Sequence, residues 1–368
     1  MTDSDRDDVT VDQLRCSAKA FIAEAIADGV ACPAFGVIMP PALFEQARAW
    51  QRHCDDHGFS GIDWPLASGG HGRSGAHAAA WNEECARAGV APYMNFQGIV
   101  LAGGAIRRFG TEEQQSRYLA PTLRADIVWC QLFSEPGSGS DLVSLSTRAV
   151  PTGDGWLVTG QKLWSSTAQL AQRAILLART NDDDPGHRGI SFFLFDMEGP
   201  GVDVRPLRQM TGDSEFCEVF LDEAPIVAAD LLGPLHGGWT VATSVLSDER
   251  AEVGAAGIGL ERRLAGLPAN GRFAAVQVEG RAVAGLLDRS NGDPSLGPLT
   301  KLAMTELDGR ITSAVLDARG ADGMLVGPAT EPFLYSPGMR VAGGTSEIQR
   351  NLIGERLLGL PREPRLTT

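Results

Sequence analysis

The first third of the chain carries apolar residues at intervals of three and four positions, a spacing that places them on one face of a helix. Gly110 then ends one helical pattern, and Thr111 with Gln114 has the spacing of a capping box that begins the next. The pattern predicts helices over residues 11–26, 41–57, 75–89 and 95–109.

The pattern changes after Asp126, where short runs of Val, Ile, Leu, Phe and Trp alternate with turns rich in Gly and Asp. Short apolar runs separated in this way are typical of strands. Their regular spacing predicts an antiparallel β sandwich or barrel. Its predicted strands include residues 156–158, 173–178, 190–195 and 219–221.

Long helical patterns return from Gly237 onward, over residues 239–267, 274–289, 299–319 and 345–358. Helices followed by strands and then by helices indicate an α+β fold rather than alternating βαβ units. We therefore expect an N-terminal helical domain at 1–126, a β domain at 127–233 and a C-terminal helical bundle at 234–368. A chain of 368 residues is long enough for two or three packed units.

Composition narrows the function classes. The formal net charge of −14 would repel a phosphate backbone, which disfavours nucleic-acid binding. The sequence shows neither a long apolar window nor a secretory leader, so we expect no membrane association. The six cysteines form no CxxC pair, which predicts reduced thiols in the cytoplasm. His53 and His57 have no third ligand at metal-site spacing, so we interpret them as surface residues and expect no metal.

Three segments combine glycines with hydroxyl or aromatic side chains. Residues 131–141 form a Gly/Ser turn whose backbone N–H groups suit a pyrophosphate. Residues 160–166 place Trp164 beside two serines, which suits a planar heterocycle. Residues 343–351 place two glycines before a helix start, where N–H groups face an anion or a carbonyl oxygen. Taken singly, a surface turn, a core tryptophan and a capped helix explain the three segments as well.

Taken together, the three segments resemble the signatures of the acyl-CoA dehydrogenase family. The first resembles Ser-Glu-Pro-x-x-Gly-Ser-Asp at 134–141, and the second resembles Gly-x-Lys-x-Trp at 160–164. The third, GGTSEIQRN at 343–351, is especially close. The resemblance covers nearly the whole chain. It implies a helical N-terminal domain, a β domain and a C-terminal four-helix bundle around FAD.

The resemblance also implies a reaction, in which a base removes the α proton of an acyl-CoA thioester and a hydride leaves the β carbon for flavin N5. By position in the motifs, Ser166 is expected near N5, and Ser140 near the cofactor phosphates and the acyl-CoA. The residues expected to bind FAD are Gln131, Leu132, Phe133, Ser134, Gly139, Ser140, Trp164, Ser165, Ser166, Thr345, Ser346 and Glu347.

The catalytic base departs from the commonest pattern. Much of the family carries a glutamate just before the Gly-Thr of the third segment, and here that position is Gly343. Other members carry it on the first helix of the C-terminal bundle, before an arginine, as Glu249 and Arg250 stand here. We therefore expect Glu249 to be the base. The alternative is a solvated carboxylate paired with Arg250. The expected substrate-binding residues are Ser140, Arg250, Gly343 and Gly344.

The segment that binds the FAD adenylate in the family, Arg-x-x-Phe-Gly, is shortened here to a poor match around Arg272 and Phe273. Similar losses occur in bacterial sterol side-chain dehydrogenases that assemble as α2β2 heterotetramers. The resemblance thus implies either a homo-oligomer or a heterotetramer with a second dehydrogenase-like subunit, and an electron-transferring flavoprotein as acceptor. Three alternatives remain: a non-catalytic half-site subunit, a relative that uses oxygen, and one whose acyl group rides on a carrier protein.

Overall fold

The computed structural model describes residues 9–36, 38–184, 186–255, 260, 264, 267–268, 271–290 and 293–362. The chain divides into two compact units. The first unit comprises Met1–Arg208 with Ser214–Val245, and the second comprises Gln209–Asp213 with Leu246–Thr368. The α+β class and the order of helices, strands and helices are confirmed. The three domain boundaries drawn from the sequence stay a prediction.

The helices of the N-terminal region lie close to their predicted positions. Thr111 caps α5 as its sequence indicates: its side chain accepts a hydrogen bond from Gln114 N (3.2 Å), and the Gln114 side chain accepts one from Thr111 N (3.0 Å). The Gln114 amide also donates to Ala229 O and Leu231 O, which ties this cap to the end of the β region. The helices are α1 Val11–Ala27, α2 Phe44–Asp56, α3 Gly75–Ala88, α4 Gly103–Phe109 and α5 Glu112–Leu123.

Stacked aromatic rings form the core between these helices. Trp50 is fully buried, and its indole N–H donates to Ala91 O at 2.7 Å. Phe21 stacks on Trp50, with ring centroids 5.5 Å apart, and also on His53 at 5.0 Å. His57 is exposed, as expected, whereas His53 is half-buried in the stack. The expectation of a surface residue is therefore met by His57 and only partly by His53.

The described residues of the β region form a seven-stranded sheet in the order β1-β4-β2-β3-β7-β6, with β5 paired to β4. Most pairs are antiparallel, as expected, but β1 and β2 both pair with β4 in parallel. Strands β4 and β5 are buried at almost every position, which explains their continuous apolar sequence. The strands are β1 Trp129–Leu132, β2 Arg148–Pro151, β3 Gly155–Ser166, β4 Arg173–Arg179, β5 Ile190–Asp196, β6 Val202–Leu207 and β7 Phe216–Val227.

The C-terminal region is helical, and one of its helices was missed from the sequence. This helix, α9, contains Pro337 in its interior, and a proline followed by a glycine, here Gly338, is typical of a position where a helix ends. Of the predicted helix over 239–267, the described residues are helical over Gly238–Ala255 and again at Leu260 and Leu264, and part of the shortened adenylate segment lies outside the described residues. The helices are α6 Gly238–Ala255, α7 Gly271–Ser290, α8 Gly297–Arg319, α9 Thr330–Val341 and α10 Ser346–Leu352.

Among the helices described, none combines the length and the apolar character that a membrane crossing requires.

The entry to α6 allows a direct test of packing. A Cβ on Gly238 would lie 2.4 Å from the backbone carbon of Ser191 on β5, whereas a Cβ on Gly75 would meet open space. We expect Gly238→Ala to lower the free energy of unfolding by about 1–3 kcal/mol, because backbone atoms must shift. Gly75→Ala, the matched control, should be neutral or stabilise by up to about 1 kcal/mol. Chemical denaturation of both variants measures the difference, and equal stabilities would contradict the close approach.

Candidate functional site

A buried ion pair joins the first two predicted segments. The Lys162 side chain is fully buried, and its ammonium donates to Glu135 Oε1 (2.8 Å) and to Phe133 O (3.1 Å). The backbone adds a third link, since Leu163 N donates to Ser134 O at 2.9 Å. The turn after β1 and the end of β3 are therefore fixed against each other.

The carboxylate of Glu135 is fully used. Its second oxygen accepts hydrogen bonds from Ser146 N and Ser146 Oγ, both at 2.7 Å, and Oε1 also accepts from Thr147 N. Burial alone would raise the pKa of Glu135, but the charge and hydrogen bonds of Lys162 and its neighbours lower it to about 2. Burial lowers the pKa of Lys162 to about 8, and Glu135 limits that fall. Both groups carry their charges near neutral pH.

Trp164 stands at an irregularity in the sheet. The register between β3 and β7 shifts between Lys162 and Ser165, and Trp164 has a φ of 60°, which is uncommon for a non-glycine residue. Its indole is 57% exposed and meets Phe216 edge-on. A large aromatic side chain displayed in this way offers a flat apolar surface to a ligand.

The two serines that follow Trp164 are both buried. Ser165 pairs with Cys217 across the sheet on the core side, and its hydroxyl has no partner among the described residues. Ser166 pairs with Phe216 and is 8% exposed.

The first segment splits between interior and surface. Leu132 and Phe133 are buried, with Phe133 edge-on to Phe192, whereas Gln131 and Ser134 are half-buried. Residues 139 and 140, Gly139 and Ser140, lie exposed on the turn. The turn itself closes through the backbone bonds between residues 135 and 138. The segment therefore presents polar atoms at its edge over an apolar base.

In the second unit, the third segment forms a turn with two glycines at positive φ, 65° at Gly343 and 93° at Gly344. Glycine adopts this conformation without the steric cost that other residues incur. The Gln349 amide donates to both carbonyls of the turn, at 2.8 Å and 3.1 Å. Thr345 caps α10 by accepting from Ile348 N, as predicted. The side-chain oxygen of Gln349, Oε1, is buried without a hydrogen-bond partner among the described residues.

Glu249 lies beside the same turn. A Cβ built on Gly343 would stand 3.6 Å from Glu249 Oε1 and 4.0 Å from Lys301 Cε. Glu249 and Arg250 are both half-buried on α6. Burial lowers the pKa of Arg250, and the charge of Glu249 opposes this. The structure therefore places the Glu249 carboxylate next to Gly343, the first glycine of the turn.

The remaining predicted residues of α10 differ in their surroundings. Ser346 is buried and donates to Glu306 Oε1 at 2.9 Å. Glu347 is exposed, and its pKa is lowered by a backbone hydrogen bond and by the Thr345 side chain. Within the described ranges, no group of three or more His, Cys, Asp or Glu side chains is placed to hold a metal ion.

Sequence reasoning missed the residues that hold the predicted ones in place, namely Glu135, Lys162, Lys301 and Gln349. A signal existed in the composition. The chain has only three lysines, and Lys162 and Lys301 are fully buried while Lys19 is exposed. The available hint was a lysine inside a motif, in a chain that uses arginine far more often than lysine.

Comparison with known proteins decides the family. The models of the acyl-CoA dehydrogenase N-terminal, middle and C-terminal domains match residues 10–126, 130–224 and 269–358. The chain belongs to the acyl-CoA dehydrogenase family. It is thus an oxidoreductase whose cofactor is FAD.

Two curated relatives of this acyl-CoA dehydrogenase are similar over most of their length. Acyl-CoA dehydrogenase IpdE1 of Mycobacterium tuberculosis is 36% identical over 353 residues, covering 87% of this chain and 89% of that protein. Acyl-CoA dehydrogenase IpdE1 of Mycolicibacterium smegmatis is 35% identical over 354 residues, covering 87% and 90%.

Two solved structures share the fold over nearly the whole chain. The Tcur3481-Tcur3483 steroid ACAD has a TM-score of 0.82 at 25% identity, covering 97% of this chain and 99% of that one. The ChsE4-ChsE5 complex from Mycobacterium tuberculosis has a TM-score of 0.78 at 25% identity, covering 99% and 100%.

The residues of the first unit fit FAD chemically. The exposed Trp164 indole offers a face for a flat ring system, and Gln131 and Ser134 offer partly exposed polar atoms. In the second unit, the Gln349 oxygen is a buried acceptor with no described partner. Such atoms are commonly satisfied by a ligand or by water.

The ion pair beneath this surface predicts a pH-dependent stability. Removing one partner of a buried pair leaves the other uncompensated, so Glu135→Gln should lower the free energy of unfolding by about 3–5 kcal/mol near neutral pH. Because folding lowers the pKa of Glu135 from 4.5 to about 2, its ionisation stabilises the fold above pH 4.5 and ceases to do so as the pH falls through 2. The difference from wild type should shrink over that window.

Denaturation of both proteins between pH 7 and pH 2.5 measures this. The matched control is Asp203→Asn, which breaks the exposed Arg205–Asp203 pair and should cost less than about 1 kcal/mol. A difference between wild type and Glu135→Gln that stays constant with pH would show that the Glu135 charge does not contribute.

Proposed function

We propose that this enzyme catalyses FAD-dependent α,β-dehydrogenation of an acyl-CoA thioester, with Glu249 as the base that removes the α proton. The observation that supports it most directly is the 3.6 Å between Glu249 Oε1 and the position a Cβ would take on Gly343. Much of the family carries its glutamate at the position of Gly343. Glu249 therefore brings a carboxylate to the place where a side chain at residue 343 would begin.

Gly343 complements this arrangement. A side chain at that position would meet the Glu249 carboxylate, and the positive φ of Gly343 disfavours one in any case. A general base must reach the proton that it removes, and the half-buried carboxylate of Glu249 is partly open to a ligand. The absence of a side chain at residue 343 thus leaves room for a base supplied from another helix, α6.

The turn at Gly343 and Gly344 suits the thioester carbonyl. Its carbonyl oxygens already accept hydrogen bonds from Gln349, and that of Gly344 also accepts one from Lys301. Among the described residues, the N–H groups of Gly343 and Gly344 donate no backbone hydrogen bond, so they can donate to the thioester oxygen, which gains negative charge as the α proton leaves. Arg250 follows Glu249 on α6, and its charge suits an anionic coenzyme A.

Bound FAD supplies the acceptor for the hydride that leaves the β carbon. We propose that it is held by the residues predicted from the sequence: in the first unit by residues 131–134, 139–140 and 164–166, and in the second by 345–347. In the first unit, the support is the exposed Trp164 side chain, which lies next to backbone that the Lys162–Glu135 ion pair holds in place.

For the substrate class we propose a bulky acyl group of the steroid type. The support is the similarity to the Tcur3481-Tcur3483 steroid ACAD over 97% of the chain. A panel of acyl-CoA thioesters with straight, branched and steroid chains, added anaerobically, tests it. The proposal requires the steroid thioester to bleach the flavin absorbance at the lowest concentration.

The role of Glu249 is tested by Glu249→Gln, which keeps the shape of the side chain and removes its basicity. We expect the rate of flavin reduction to fall by about 10²- to 10⁴-fold while bound FAD is retained. Exchange of the α proton for deuterium in D₂O, followed by NMR, should fall in parallel. The control is Asp248→Asn, one residue earlier on α6, which should remain close to wild type. Unchanged turnover in Glu249→Gln would reject Glu249 as the base.

We further propose that a second dehydrogenase-like subunit completes the FAD site and that an electron-transferring flavoprotein is the acceptor. The support for the second subunit is the shortened adenylate segment, together with the similarity to two structures of paired proteins, Tcur3481-Tcur3483 and the ChsE4-ChsE5 complex. The chain expressed alone should carry less than one FAD per chain by absorbance. A homo-oligomer with a full complement of FAD, sized by light scattering, would reject an obligatory partner. Oxygen consumption during turnover would instead identify an oxidase.

A further inference from the structure

Lys301 on α8 is a fully buried cation in the second unit. Its ammonium donates to Gly344 O at 2.7 Å and to Arg340 O at 3.1 Å. The first carbonyl belongs to the glycine turn and the second to the last turn of α9. One side chain therefore connects three consecutive pieces of the region around the turn: α8, the end of α9 and the glycines that follow it.

Lys301 lies beside Glu249 as well as beside the turn. The position of a Cβ on Gly343 is 4.0 Å from Lys301 Cε and 3.6 Å from Glu249 Oε1, so both side chains border the same glycine. The charge of Glu249 also acts on the Lys301 ammonium. The hydrogen bonds of Lys301 go to carbonyl oxygens, which carry no formal charge, so its positive charge acts on the carboxylates around it.

The charges of three carboxylates on three helices act on this ammonium: Glu249 on α6, Glu306 on α8 and Glu347 on α10. Glu306 already accepts from Ser346 Oγ and pairs with Arg350, and Glu347 is exposed. Solvent screens the charge of an exposed group, so Glu347 contributes less than a half-buried carboxylate does. Among the three, Glu249 is the one that borders Gly343 together with Lys301.

We propose that Lys301 is a positioning residue for proton abstraction: it fixes the Gly343–Gly344 turn beside Glu249, and its charge keeps the Glu249 carboxylate ionised. This inference rests on the proposed role of Glu249 as the base. In this role Lys301 does not contact the substrate. It maintains two conditions that the reaction needs, a fixed glycine turn and an ionised base.

The charge of the residue supports this role. Burial lowers the pKa of Lys301 to about 8, and the charges of Glu249, Glu306 and Glu347 limit that fall. Lys301 is therefore protonated at neutral pH. A nearby cation favours the ionised form of a carboxylate, so loss of the ammonium should raise the pKa of the base. Arg250 is a further cation that acts on Glu249, and Arg356 in turn influences Arg250.

The test is the pH profile of kcat/KM for flavin reduction in the FAD-loaded enzyme, with the acyl-CoA that bleaches the wild type most readily. The acid limb of this profile reports the essential base of the free enzyme. We expect Lys301→Met to move the limb upward by about one pH unit, the size that loss of one nearby charge produces. The control is Lys19→Met, which removes the exposed lysine and should leave the profile unchanged.

A second variant separates charge from folding. Lys301→Gln keeps a donor for the same carbonyls and removes the charge, and its acid limb should move upward as well. If Lys301→Met does not fold, the limb of Lys301→Gln decides. If the acid limb of the kcat/KM profile stays at its wild-type pH in the folded Lys301 variants, the proposal is overturned. The Glu249→Gln variant separates failure of this proposal from failure of the proposed function. If Glu249→Gln remains active, Glu249 is not the base, and the Lys301 proposal loses its basis whatever the Lys301 variants show.

Discussion

The buried ion pair between Lys162 and Glu135 is the constraint on which the proposed flavin surface depends. Removing two charges from water costs several kcal/mol for each ion, so a buried pair is stable only when its remaining polar atoms are satisfied. Here the Phe133 carbonyl accepts a further hydrogen bond from the Lys162 ammonium, and the N–H groups of Ser146 and Thr147 donate to the Glu135 carboxylate. This requirement fixes the turn after β1 to β3, and the exposed Trp164 lies only two residues beyond Lys162.

The second unit uses a comparable arrangement. Lys301 is also fully buried, and it holds the glycine turn through carbonyl oxygens rather than through a carboxylate. An ammonium is a compact donor group with three hydrogens, which can reach converging acceptors where the planar guanidinium of arginine would need more room. This difference explains why two of the few lysines in an arginine-rich chain are interior residues. Each stabilises one of the segments that the sequence singles out.

Repetitive features of the sequence were the most predictable. Apolar spacing located α1 to α4, and the capping box at Thr111 marked the start of α5, because helix periodicity and capping depend on neighbours within a few positions. The helix α9 was missed because an internal proline interrupts its pattern, although its surroundings maintain the helix. The parallel pairing of β1 and β2 with β4 was also missed, since strand pairing joins residues distant in the chain.

The sequence by itself determined the family, the order of helices and strands, and the short list of residues able to carry out the chemistry, because each of these depends on residue type and local spacing. Only the tertiary structure decided which groups lie together. The nearness of Glu249 to Gly343, and the burial of Lys162 and Lys301 against their partners, join segments far apart in the chain. Their contacts follow from how helices and strands pack, and packing depends on all the contacts of the fold at once.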